Sequence, residues 1–203
     1  FVQVSGISGI TDVSAGYYHT VALKENGTVW SWGWNYYGQL GDGTTIDRYV
    51  PVMAYMMTDI EAIAAGDYHT VLMTDRGGIW AFGSNIDGQL GFESEWLELG
   101  LSYPKPISIN GAAEAISAGW SHTLAVREDE TVWAWGNNYR GQLGDGTNRT
   151  RYAPTKIANL SITRPLYQTV ISITDEDGYV KKYHYDPANR LIELESSQDT
   201  SPF

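Results

Sequence analysis

Three passages of this 203-residue chain superpose without internal gaps. They are AGYYHTVALKENGTVWSWGWNYYGQLGDGT from Ala15, AGDYHTVLMTDRGGIWAFGSNIDGQLGFES from Ala65 and AGWSHTLAVREDETVWAWGNNYRGQLGDGT from Ala118. His19, His69 and His122 stand 50 and 53 residues apart, and Trp30, Trp80 and Trp133 keep the same steps. Three extra residues between Gly91 and Pro104, around Glu95-Trp96-Leu97, account for the longer second step. Self-similarity at about fifty residues constrains the fold more than any other feature. Each unit is then one supersecondary piece that cannot bury its apolar face alone, so neighbours must stack.

Each unit reads as four short strands. In the first unit they are Ile10–Ala15, His19–Leu23, Thr28–Gly33 and a strand near Pro51. Asn26-Gly27 is a two-residue hairpin signal between the second and third; Arg76-Gly77 keeps it weakly and Asp129-Glu130 loses it. Alternation along Val29-Trp30-Ser31-Trp32 puts both indoles on one face. Four strands per unit at a period of about 40–50 residues is the pattern of propeller blades. The expected fold is therefore all-β: a partial β-propeller of three to four blades, with units 1–50, 51–103 and 104–158. Each sheet is expected to hide its indole-bearing face against the next. Three blades leave two open edges, whereas closed propellers have about 4–8 blades. Closure has three routes: more repeats in a longer chain, pairing of copies, or capping by residues 159–203.

The strings AGxxHT, VWxWG and GQLGDGT resemble the regulator of chromosome condensation repeat, the blade unit of a propeller family. The resemblance covers residues 1 to about 158 and implies the propeller fold. It does not carry one activity, because fold and function are separable. The remainder, TDEDGYVKKYHYDPANRLIELE from Thr174, resembles the tyrosine-aspartate (YD) repeat of bacterial Rhs proteins through Tyr183, Tyr185, Asp186, Arg190 and Leu191, with Asn189 where Gly is usual. Residues 159–203 are thus expected to form a divergent β-hairpin tail, either a fourth blade or cap, or the start of a separate β domain. In the second case the chain would be part of a toxin-delivery shell.

A net charge of −11 repels phosphate backbones and anionic headgroups, so nucleic acid and membrane surfaces fit poorly and a protein partner fits better. No cysteine is present, which removes disulfides, thiolate zinc sites and a cysteine nucleophile. The first residue is Phe, at a repeat boundary. We read the chain as a segment of a larger bacterial surface or secreted protein, its export signal lying elsewhere.

No nucleophile motif, phosphate loop or acid–base pair is evident. The recurrent histidines sit at equivalent positions of separate blades, too far apart to share a metal, and each is expected to bond backbone inside its own blade. Asp42-Gly43-Thr44 and Asp145-Gly146-Thr147 lack calcium-loop spacing and read as turn aspartates bonding their own backbone. No cofactor is implied. What blade architecture leaves unexplained is the set of large residues between the fixed motifs. These are Tyr17, Tyr18, Tyr68 and Trp120 before each His, Trp34, Tyr36, Tyr37, Tyr139 and Arg140 after each VWxWG, and Trp96 on the insertion. Loops of a propeller gather on its end faces, and exposed Trp, Tyr and Arg anchor interfaces. The expectation is a non-catalytic module that binds a protein, or further copies of itself, through these residues. Guanine-nucleotide exchange and hydrolysis are the less favoured readings.

Overall fold

A computed structural model describes residues 2–55, 57–93, 99–161, 169–174, 179–185 and 191–198. The chain divides into two compact units, Phe1–Ile162 and Thr163–Phe203. The first holds three four-stranded antiparallel sheets, each in simple sequential order. Blade 1 is β1 (Ile10–Ala15), β2 (His19–Lys24), β3 (Val29–Gly33) and β4 (Arg48–Met53). Blade 2 is β5 (Ile60–Ala65), β6 (His69–Thr74), β7 (Ile79–Ser84) and β8 (Gly100–Ile107). Blade 3 is β9 (Ala113–Ala118), β10 (His122–Arg127), β11 (Thr131–Gly136) and β12 (Arg151–Ser161). The register repeats with the sequence: His19 pairs Gly33, His69 pairs Gly83 and His122 pairs Gly136.

Alternation along the strands sends successive side chains to opposite faces, and the two faces of blade 2 feed two different cores. Leu72 and Phe82 point back into a cluster with Val21, Leu23 and Val29 of blade 1. Val71, Met73, Ile79 and Ala81 point forward to Ala125 and Trp135 of blade 3. The aromatic faces of blades 2 and 3 therefore lie on the blade before, not on the one after. That corrects the expected direction: the forward face carries the aliphatic set Val71, Met73, Ile79 and Ala81, and Trp80 and Phe82 lie on the opposite face. Trp30, Trp80 and Trp133, nearer the rim, are half-buried.

The hairpin of blade 3 forms despite the lost Asn-Gly. Asp129 Oδ1 accepts from the Thr131 amide (3.2 Å) and hydroxyl (2.6 Å), as Asn26 Oδ1 does from Thr28 (3.2 and 2.7 Å).

The second unit is a three-stranded antiparallel sheet, β13 (Thr169–Thr174), β14 (Tyr179–Tyr185) and β15 (Leu191–Gln198), one strand more than the expected hairpin. Tyr183 pairs with Leu194 and Tyr185 with Leu191. Asp186, Asn189 and Arg190 lie outside the described residues.

Candidate protein-binding face

The AGxxH segment is a tight turn. The Gly16 amide donates to the His19 carbonyl at 2.9 Å, and the Gly66 and Gly119 amides repeat the bond to His69 and His122 at 3.0 and 2.9 Å. A side chain at Gly16 would meet the His19 ring and the Gly66 carbonyl, so glycine is required where ring and neighbouring turn close in. The turns are rungs of one ladder: the Tyr17 amide donates to the Asp67 carbonyl and the Asp67 amide to the Trp120 carbonyl, both at 3.2 Å. Residues 17–18, 67–68 and 120–121 thus sit side by side.

Each histidine was expected to bond backbone inside its own blade; the His19 and His69 rings instead meet a threonine of the next blade. His19 Nε2 lies 3.0 Å from the Thr70 hydroxyl of the next blade, which donates to the Gln39 carbonyl at 2.9 Å. His69, Thr123 and Gln89 repeat the relay at 3.1 and 2.8 Å. The threonine hydroxyl spends its proton on the glutamine carbonyl, so the imidazole Nε2–H is the donor. The His-Thr dipeptide was legible; that the two act across a joint was not, because sequence does not show which strand face meets which neighbour. Burial pushes His19 down to about 4, partly opposed by the Asp67 carbonyl. Burial, with the nearby His19 and His122, pushes His69 down to about 3. His122, half-buried, is lowered by burial. Among the described residues no group of three or more His, Asp or Glu could hold a metal ion.

The loop after β3 is fixed from inside by Gln39, whose Oε1 accepts from the Tyr37 amide at 3.0 Å; Gln89 and Gln142 do the same for Asp87 and Arg140 at 2.9 Å. In blade 2 the other end of the amide, Gln89 Nε2, donates to Ser84 Oγ at 3.2 Å, and in blade 3 Gln142 Nε2 donates to Asn137 Oδ1 at 2.9 Å. In blade 1 this acceptor position is Trp34, and the buried Gln39 Nε2 has no partner among the described residues. Leaving such a donor unpaired costs about 1–3 kcal/mol. The cost went unseen in the sequence, although the alignment Trp34, Ser84, Asn137 marks the position.

Six of the sequence-predicted residues meet in one patch across the seam of blades 1 and 2. Trp34 is the hub: Tyr36 stacks on it at 5.7 Å, and Tyr18, Tyr37 and Tyr68 lie edge-on at 6.1, 5.6 and 5.4 Å. Tyr17 closes the set, 4.3 Å from Tyr18 and 6.0 Å from Tyr68. Tyr17 and Tyr18 are each 59% exposed and Tyr36 62%. The Tyr17 hydroxyl raises the Tyr18 phenol, burial and Asp67 raise Tyr68, and burial raises Asp67. Beside Trp34 lies an open groove of about 510 Å³ lined by Tyr18, Gly33, Trp34, Asp47 and Tyr49. The blade 3 candidates do not join the patch. Trp120 and Tyr139 are 66% and 70% exposed with no ring contact among the described residues, Arg140 is exposed, and Trp96 lies outside the described residues.

Asp42 and Asp145 do bond their own backbone, accepting from the Thr44 and Thr147 amides at 3.0 and 2.9 Å. Each also clamps an arginine that sequence reading missed: Arg48 Nε to Asp42 at 2.7 Å, and Arg151 Nε to Asp145 at 2.7 Å. The signal was a shared six-residue offset, absent from the second repeat. Burial alone would raise Asp42, but the Thr44 hydroxyl and Arg48 outweigh it and lower the carboxyl. The Thr147 hydroxyl, with Arg151 and Asn138 and against burial, holds Asp145 far below the carboxylate range.

Two models of the regulator of chromosome condensation (RCC1) repeat match the chain three times each, at residues 26–73, 76–126 and 129–173 and at 10–39, 60–89 and 114–142. The ultraviolet-B receptor UVR8 of Arabidopsis thaliana is 33% identical over 165 residues, 79% of this chain and 37% of the receptor. The secretion-regulating guanine nucleotide exchange factor of Mus musculus is 32% identical over 151 residues, 74% of this chain and 25% of that protein. The chain therefore spans about a third or less of the length of these relatives. Among solved structures, yeast RCC1 (Prp20) bound to Kap60 superposes with a TM-score of 0.68 at 21% identity, over 76% of this chain and 38% of that one. Human WBSCR16 superposes at 0.70 and 19% identity, over 97% and 56%.

Proposed function

This chain belongs to the regulator of chromosome condensation repeat family, and from that premise we propose that it is a non-catalytic protein-binding module whose contact face is the aromatic patch around Trp34. The fold is a partial propeller, and yeast RCC1, whose solved structure superposes on it, is itself found bound to a protein, Kap60. The observation that carries the reading is the cost of Trp34. Blades 2 and 3 place an acceptor there for the loop glutamine; blade 1 gives it up, strands a buried amide, and gains a half-exposed indole at the centre of five tyrosines. A residue that breaks a local rule its own repeats obey points to function. Aromatic anchors framed by polar groups are the usual energetic centre of an interface.

Trp34→Ser restores the acceptor. It is expected to leave folding intact, with stability unchanged or about 1 kcal/mol higher, while cutting partner retention at least tenfold. The measurement compares proteins retained from the source cells by immobilised wild type, Trp34→Ser and Tyr139→Ser. Equal retention by all three removes this face from binding.

A further inference from the structure

The repeat allows each end of the three-blade unit to be compared with the joints inside it. At both joints a loop glycine of one blade seats against the fourth strand of the next: a side chain at Gly38 would strike Ser102, and one at Gly88 would strike Tyr152. At both joints the His–Thr–Gln relay is complete and buried. The two ends carry opposite, unmatched halves of this joint. On blade 3, His122 and Gln142 are half-buried and Gly141 is exposed, where Gly38 and Gly88 are buried. On blade 1, Thr20 and Trp32 are half-buried, whereas Thr70, Thr123, Phe82 and Trp135 are sealed. Register places Tyr49 where Ser102 and Tyr152 stand. The groove beside Tyr49 and Gly33 is thus the seat that a preceding glycine-glutamine loop would fill.

We propose that the blade 3 edge of one copy docks on the blade 1 edge of a second copy and remakes the internal joint. His122 Nε2–H then donates to the Thr20 hydroxyl, that hydroxyl to the Gln142 carbonyl, and the Trp120 amide joins the ladder at residue 17. Leu124 and Val126, half-buried on the open face of blade 3, cover Trp32 as Val21 and Leu23 cover Phe82. Both halves being on the same chain is what selects a second copy as the occupant. The contact is head-to-tail, so it propagates to a ring or filament instead of stopping at a dimer. Glu130 is the misfit: its Cβ stands where Gly27 and Gly77 meet the backbone of the following blade.

Sedimentation velocity of the full 203-residue chain from about 1 to 100 µM tests this. Wild type is expected to gain mass with concentration. Thr20→Arg blocks one edge and Leu124→Lys the other; each is expected to stay monomeric. Their equimolar mixture still has one good edge of each kind, so it is expected to form 1:1 dimers and nothing larger, which unfolded variants could not do. Glu130→Gly is expected to strengthen wild-type association severalfold. A wild type that stays monomeric, as capping by residues 163–203 would make it, overturns the proposal. So does a single variant that associates like wild type, a mixture that stays monomeric, or weaker association of Glu130→Gly.

Discussion

The joint between blades 2 and 3 and the outer edge of blade 1 present the same residues to different surroundings. Trp135 is wholly buried and its indole donates to the Gln89 carbonyl at 3.0 Å; Trp32, in the same register, is half-buried and has no such acceptor among the described residues. Thr123 is sealed, and Thr20 is half-exposed. The difference lies in the neighbour, since the local sequences are almost alike. Stability in such a repeat is carried by the joints at least as much as by the blades.

The largest expected effect follows directly. Trp135→Ala empties a filled joint and takes from the Gln89 carbonyl one of its two donors, the Thr123 hydroxyl remaining, so about 3–5 kcal/mol should be lost. Trp32→Ala removes a ring already facing water on one side, and less than half that loss is expected. Chemical denaturation at about 1 µM, where copies are apart, compares the two. Similar losses would break the distinction between joint and edge.

Acid should act on the same contrast, with a somewhat smaller effect. His19 and His69 are held neutral in the fold, well below the ordinary imidazole value of 6.5. Below about pH 6.5 the unfolded chain binds protons that the folded chain refuses, so stability falls as pH drops. For His19 the loss continues to about pH 4, where the folded imidazole also titrates. The loss per sealed imidazole is on the order of 3 kcal/mol. Denaturation midpoints between pH 7 and 4.5 should show a slope that His69→Gln flattens. His122→Gln, at the open end, should flatten it less. An equal response from both would mean that burial in the joint is not the cause.

Much of this was legible. The period, the four strands per unit, the turn glycines and the aromatic residues between motifs all follow from spacing and residue type. The six residues that form the patch were recognisable one by one, because Trp34 or Tyr18 has no role in a lone sheet. Their meeting was not, since it depends on the AGxxH turn of blade 2 carrying Tyr68 across the seam to Trp34. The histidine relay failed for the same reason: it is a property of two blades at once. Arg48 and Arg151 were hidden for a different one. Their partners sit six residues back across an irregular loop, where no helical or strand period tells which side chains meet.

The smallest effect separates what a blade needs from what a joint needs. Gly27, Gly77 and Glu130 hold the same turn position with φ of 73, 73 and 63°. Left-handed backbone costs a non-glycine residue about 1 kcal/mol, so Glu130→Gly should stabilise the isolated chain by about that much. Gly77 has a second reason to be glycine: a Cβ there would lie 2.5 Å from the Ala113 carbonyl of blade 3, and one at Gly27 would lie 2.9 Å from the Asp59 amide of blade 2. Glu130 has no following blade within the first unit, so in the isolated chain only the turn strain acts there. Gly77→Ala should therefore lose clearly more than Glu130→Gly gains, because strain and collision add. Thermal denaturation of the two variants decides it: equal and opposite shifts would assign the whole effect to the turn and none to the neighbouring sheet.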